Sequence, residues 1–264
     1  MKTRFDVPEW HEIVAGLVRG GDVHSSSKTL IDAVGYAVNH EGTCLLAFHA
    51  DAPPEVIHHT LEPAGARHYL DRYLAGPYLL DPLYELALSD DKPALCRFRD
   101  QSPDRFRSRE YYRQYCERTR LLDEMDFLVD VADGSALVLV VGRREKMFTK
   151  AELARLRLIE PIVVAAMRNI WHRWVAEENV ADRDDSLHWR LRRCFDTFGD
   201  SSLTEREREV THLLLRGHSV KSAARALDIA PGTVMVHKRN VFKKLGISSQ
   251  YELFSRFIEE LSRA

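Results

Sequence analysis

Between Leu203 and Leu261 the chain marks its own helix boundaries, and those marks constrain its folding more than any other feature. Thr204 and Glu207 form a T-x-x-E capping box, in which each side chain satisfies a free backbone N–H of the first turn. Val210, Leu213 and Leu214 supply an apolar stripe at helical spacing, and Gly217 can take the left-handed conformation that closes a helix. A short second helix runs from about Ser219 to Leu227. Its small residues Ala223, Ala224 and Ala226 allow another helix close, and Leu227-Asp228-Ile229 makes the turn after it. Pro231 falls in the first turn of a third helix, Gly246 ends that helix, and Ser249 with Glu252 offers a box for a fourth. The spacing predicts an all-α unit of four short helices.

The helix from Pro231 to Leu245 is the one with a chemical consequence. Val234, Val241 and Leu245 recur at helical intervals and must face inward, which fixes the opposite face. At about 100° per residue, Val236, Arg239 and Lys243 point outward, with Met235 and Asn240 beside them. The overall net charge of −2 hides an asymmetry: from Ser201 onward 4 Lys and 7 Arg stand against 7 carboxylates, a net of +4, which leaves −6 for residues 1–200. No acid lies between Asp228 and Glu252, while His237, Lys238, Arg239, Lys243 and Lys244 cluster there. A basic strip on an exposed helix suits the DNA major groove. Arginine can donate two hydrogen bonds to a guanine edge, and lysine neutralises phosphates with release of counterions.

The runs LTEREREV, RGHSVKSAARAL and IAPGTVMVHKRNVFKKLGISSQ, in that order and spacing, resemble the GerE-type, or LuxR-family, helix-turn-helix domain. The resemblance covers about a quarter of the chain. It implies a bacterial transcription regulator whose partner is double-stranded promoter DNA. It makes the helix from Pro231 the recognition helix, with Met235, Val236 and Arg239 at base-reading positions and Lys221, Thr233, Lys238 and Lys243 near phosphates. It further implies a homodimer through the last helix, matching a two-fold operator, with Phe254, Phe257, Ile258 and Leu261 as the dimerisation residues. The other reading of that stripe, to which Leu253 also belongs, is intramolecular core. Three positions depart from the family pattern: Val220 stands for Asn, Ser222 for Glu and Met235 for Lys. The last removes a cation and a donor from a base-reading position, so the operator is this chain's own. Ala230 lacks the oxygen that a Ser or Thr would use to cap the recognition helix, a loss of about 1 kcal/mol.

The amino-terminal residues read as α+β. Met125 to Ala132 and Ser135 to Arg143 flank Asp133-Gly134, the turn pair of a two-residue hairpin. Further β-rich runs are Thr43 to Phe48, Val56 to Leu61 and Ala94 to Phe98. Helices are expected at Ala64 to Leu74, Leu79 to Leu88 and Ser108 to Thr119, giving an antiparallel sheet sandwiched by helices. This arrangement resembles a GAF/PAS-like or autoinducer-binding-like sensor domain, and HYLDRYLAGPYLLDPLYELAL is similar to the Tyr-then-Asp-Pro pattern of quorum-sensing LuxR proteins. The resemblance makes Tyr69, Tyr73, Tyr78 and Asp81 the ligand-lining residues for a small-molecule effector. Ordinary structure offers a second account, since tyrosines at helical spacing pack as core and Asp-Pro starts helices. No tryptophan lies in residues 11–170, whereas the pocket of the quorum-sensing proteins this domain resembles usually includes them, so the resemblance does not extend to an acyl-homoserine lactone as the ligand.

Thr149 and Glu152 cap a long helix whose Leu153, Leu156, Ile159, Val163, Met167, Ile170 and Trp174 form one stripe, with a kink expected at Pro161. The stripe serves either a dimer partner or the sheet. The charged run VAEENVADRDDS is the best boundary, followed by an amphipathic piece, LHWRLRRCFDTF. The expected domains are a sensor and dimerisation domain at 1–175, a linker with a short amphipathic helix at 176–200, and the DNA-binding domain at 201–264.

Several function classes are excluded. Cys44, Cys96, Cys116 and Cys194 are too scattered for a zinc knuckle or redox pair and read as reduced, mostly buried thiols. His49, His58, His59 and His68 show no metal-ligand spacing, so neither metal nor cofactor is expected. No phosphate-cradling glycine loop, G-x-S-x-G or receiver-type acidic pair is present, and an enzyme is not expected. No run approaches the ~18 apolar residues of a membrane span, so a cytoplasmic protein without a membrane partner is expected. A sensor that binds a protein rather than a ligand remains the alternative.

Overall fold

The computed structural model describes residues 5–101, 121–132, 134–178, 195, 197–199 and 202–261, apart from the side chains of 64–69, 178 and 261. The expected helix at Ser108 to Thr119 and most of the linker lie outside these residues. The helices are α1 (Pro8–Arg19), α2 (Val23–Ala37), α3 (Pro63–Leu74), α4 (Pro82–Ala87), α5 (Phe98–Gln101), α6 (Lys150–Glu178), α7 (Glu205–Leu215), α8 (Val220–Ala226), α9 (Pro231–Leu245) and α10 (Gln250–Leu261). The strands are β1 (Gly42–His49), β2 (Glu55–His59), β3 (Leu95–Arg97), β4 (Asp123–Ala132) and β5 (Ser135–Arg143). Two compact units result. One gathers Met1–Pro63, Leu86–Asp100 and Leu121–Asp184, and the other Ala64–Glu85, Gln101–Arg120 and Asp185–Ala264. The α3 to α4 segment thus groups with the carboxy-terminal helices rather than with the sheet.

In the first unit the strands form one antiparallel sheet, ordered β2-β1-β5-β4-β3. Its spine is the hairpin β4–β5, in which Ala132 pairs with Ser135 across a turn where Gly134 has φ +68°. That positive φ is what a primed two-residue turn demands. Alternate residues of the strands, Leu45 and Ala47, Met125 and Phe127, Leu137 and Leu139, join one core with Leu30 and Val34 of α2 and Leu156, Ile159, Val163 and Met167 of α6. The long stripe of α6 therefore packs onto its own sheet. The helix runs on through Pro161 without interruption.

Two helices outside the expected set carry local start signals: Pro8 at the first position of α1, and Asp22, whose carboxylate accepts from the Ser25 N–H at 2.7 Å and caps α2. A charge pair between buried Arg143 and half-buried Glu152 fastens α6 to the sheet. Arg143, 1% exposed, donates two hydrogen bonds to Glu152, at 3.1 and 2.6 Å, and one to the Asn39 carbonyl at 2.7 Å. Its guanidinium also covers the Phe148 ring at 4.0 Å. The Arg143 bonds, helped by the Thr149 cap, hold the Glu152 carboxyl down at about 2. Beside it, Asp123 accepts from Arg97 and from the Phe148 N–H at 2.7 Å. No helix is long and apolar enough to cross a membrane among the described residues.

Candidate nucleic-acid interface

The four carboxy-terminal helices begin and end where local chemistry requires. The Thr204–Glu207 box opens α7. A second box opens α8, where the Ser219 hydroxyl accepts from the Ser222 N–H and the Ser222 hydroxyl accepts from the Ser219 N–H at 2.9 Å. Serine at 222, where the family pattern has Glu, thus closes the box with its own hydroxyl. Asp228 takes φ +50° in the turn, one of the few residue types that tolerates it. Pro231 then starts α9 from Ala230, which has no side-chain cap, and Gly246 ends it in left-handed conformation. From α10, the Gln250 amide donates to the Leu214 carbonyl at 2.8 Å and Arg256 to the Leu245 carbonyl, so the last helix closes the ends of α7 and α9.

Helix α9 is divided lengthwise. Val234 and Val241 are 0% exposed and Leu245 is 6% exposed, packed against α7 and α8. On the other side Met235 is 54% and Val236 52% exposed, with Thr233, Arg239, Asn240 and Lys243 also exposed. Lys221 is exposed on α8. Lys238 is half-buried, its ammonium 5.2 Å from the centre of the Phe242 ring. Lys244 turns the other way and meets Glu207 Oε2 at 2.6 Å. An acid-free helix with arginine, lysine and apolar side chains on one accessible face can neutralise phosphates and present side chains to base edges.

The profile described as "Bacterial regulatory proteins, luxR family" matches residues 201–257. An HTH-type transcriptional regulator of Aeromonas salmonicida, from the exeN 3' region, is 33% identical over 160 residues, which is 59% of this chain and 82% of that one. The chain belongs to the luxR family of regulators. The monoamine regulon transcriptional regulator of Klebsiella aerogenes is 25% identical over 208 residues, 77% of each chain. Among solved structures, the VqsR LBD domain from Pseudomonas aeruginosa superposes with TM-score 0.55 at 24% identity, over 63% of this chain and 99% of that one. At that identity the likeness is one of fold.

Phe254 is 4% and Phe257 0% exposed, and Phe257 meets Phe195 and Phe198 edge-on at 5.7 and 5.4 Å. The stripe on α10 is wide because residues 195 and 198 come to cover it. Phe254 and Phe257 are therefore core residues of their own unit, a correction to the subunit-interface expectation. Ile258 is half-buried, and the side chain of Leu261 lies outside the described residues.

Tyr73, Tyr78 and Asp81 do come together. Tyr73 and Tyr78 are 3% and 0% exposed, with ring centres 6.2 Å apart, and Tyr84 adds a third ring 5.1 Å from Tyr78. The Tyr73 hydroxyl donates to Asp81 Oδ2 at 2.8 Å, while Asp81 Oδ1 accepts from the Leu83 N–H at 2.9 Å and caps α4. Loss of water around the carboxylate pushes Asp81 up to about 6 despite those bonds. Tyr69 lies on α3, with its side chain outside the described residues. The expected helix Leu79 to Leu88 is split at Asp81, between a 3-10 turn at Pro77–Leu80 and α4. Cys44 and Cys96 are buried free thiols, and burial pushes Cys44 up to about 12. No group of three metal-ligating side chains occurs among the described residues.

Proposed function

We propose that this luxR-family regulator binds operator DNA sequence-specifically through α9, as a cytoplasmic homodimer, and that a small molecule bound by its amino-terminal sensor controls that binding. The observation that carries the DNA half is the lengthwise division of α9: Val234, Val241 and Leu245 are turned inward, and Met235, Val236, Arg239 and Lys243 are accessible on an acid-free helix. A two-fold operator needs two such heads, which is the reason for a homodimer. Lys221, Thr233 and Lys238 serve phosphates in this reading, and Met235, Val236 and Arg239 serve bases.

Support for ligand control is the Tyr73, Tyr78 and Asp81 group, in which phenols and a carboxylate sit among apolar neighbours, together with fold likeness to a domain described as an LBD. A specific observation favours the second reading, a sensor that binds a protein and no ligand: Asp81 and Tyr73 already satisfy each other and cap α4. Thermal unfolding across a metabolite library separates the two. Ligand control predicts a compound that raises the melting temperature of the native chain and fails to do so in Tyr73→Phe. Failure of every compound, with operator binding intact, favours the protein-binding sensor.

A further inference from the structure

The outward face of α9 is not uniformly basic. Arg239 and Lys243 lie further along the helix, whereas its first two turns present Gly232, Met235 and Val236, which carry no charge. Met235 and Val236 are each more than half exposed, although the core of the domain closes without them. Gly232 is equally unforced by the fold. Its backbone is not left-handed, and a Cβ built there would meet nothing within 4 Å. Glycine is a poorer helix former than alanine, and packing within this chain gives no return for having it here in the first turn of α9. On the same helix Arg239 and Lys243 are exposed, as is Lys221 on α8, and no carboxylate occurs from Ile229 to Tyr251. The surface complementary to this one is therefore a polyanion.

Residues in the first turns of a recognition helix are the ones that reach base edges. In the major groove the base group that matches an apolar side chain is the C5-methyl of thymine. We propose that Met235 and Val236 read thymine methyl groups in the operator, and that Gly232 is bare so that the base edge can approach the helix backbone. Methionine donates no hydrogen bond, so a guanine at the base pair facing Met235 is not selected. The inference rests on the DNA-binding reading above and adds the chemistry of the bases it selects.

The test uses the full-length protein to select duplexes from a random-sequence library. The most enriched duplex is resynthesised with deoxyuridine in place of thymidine, one position at a time, which removes a methyl group and leaves base pairing intact. Burying one methyl corresponds to about four-fold in affinity, so at least one replacement in each half-site should weaken binding by about that factor. That loss should vanish in Met235→Ala or in Val236→Ala, whose positions are exposed. Gly232→Ala should bind the same duplex more weakly with no fall in melting temperature, and unchanged affinity there would overturn the role given to the glycine. If no deoxyuridine replacement matters, or the loss persists in both variants, methyl reading is wrong while sequence-specific binding stands. If no duplex is enriched at all, the DNA-binding reading fails and this inference with it.

Discussion

Lys244 Nζ lies 2.6 Å from Glu207 Oε2, joining the far end of the recognition helix to the first turn of α7. The same carboxylate caps α7 by accepting from the Thr204 N–H at 2.8 Å. Burial works to raise the Glu207 carboxyl, but the bonds from Lys244 and Thr204 outweigh it and hold it below the ordinary range. One lysine of the basic cluster is thus structural, while Arg239 and Lys243 stay accessible. Glu207→Gln should destabilise the domain by about 2 kcal/mol, combining a lost charge-assisted bond with a weakened cap. Binding to the selected duplex should weaken, with no change in which single-base variants are tolerated. Melting curves with competition binding check this, and a changed base preference would refute the structural role.

Arg143 fastens α6 to the sheet from a fully buried position. Removing Arg143 takes the charge partner from a Glu152 carboxylate that is only half-buried and keeps its bonds from Thr149, so Arg143→Met should cost about 2 kcal/mol in urea unfolding. Because Glu152 titrates near 2 when folded and near its ordinary value of 4.5 when unfolded, its contribution is present above about pH 4.5 and lost as pH falls toward 2. The wild type should therefore lose its advantage over the variant on acidification through that window, and parallel pH profiles would contradict the assignment.

Asp81 has the opposite sign. Its folded value of about 6 lies above the ordinary 3.8, so the native state holds the proton more tightly. The stabilisation this brings is fully present below about pH 3.8 and disappears as pH rises through 6. Relative to Asp81→Asn, the wild type should gain stability between pH 7 and pH 5. Unfolding of both proteins at the two pH values measures the difference, and an unchanged gap would show that the carboxyl is not shielded.

Lys243 is exposed on the outward face and makes no base contact in this account. Lys243→Ala should weaken binding to all duplexes alike and lower the magnitude of the slope of log affinity against log salt by about 0.9. A salt titration reads this directly, and a loss confined to one operator sequence would place Lys243 among the base readers.

What was legible in the sequence was local. The caps at Thr204 and Ser249, the inward spacing of Val234, Val241 and Leu245, and the Asp133-Gly134 hairpin signal are encoded within a few residues of where they act, and β5 appears at the expected bounds, Ser135–Arg143. Other features depend on partners distant in the chain. A stripe on α10 shows that a face is covered but not by what: a second subunit and the chain's own core fit it equally, and Phe195 and Phe198, which meet Phe257, lie far earlier in the sequence. Lys244 could not be told from Lys243 because Glu207 is 37 positions away. The break at Asp81 did have a local signal: the residue before a proline is pushed out of helical conformation, and Asp81 has ψ 120°.

DNA reading by the exposed face of α9 is tested most directly at Arg239. Losing a bidentate arginine contact to a base costs about 1–3 kcal/mol, so Arg239→Ala should lower affinity for the selected duplex by about 5- to 150-fold, narrow its margin over random duplex, and leave the melting temperature unchanged. If Arg239→Ala binds both duplexes as the wild type does, α9 is not the reading helix.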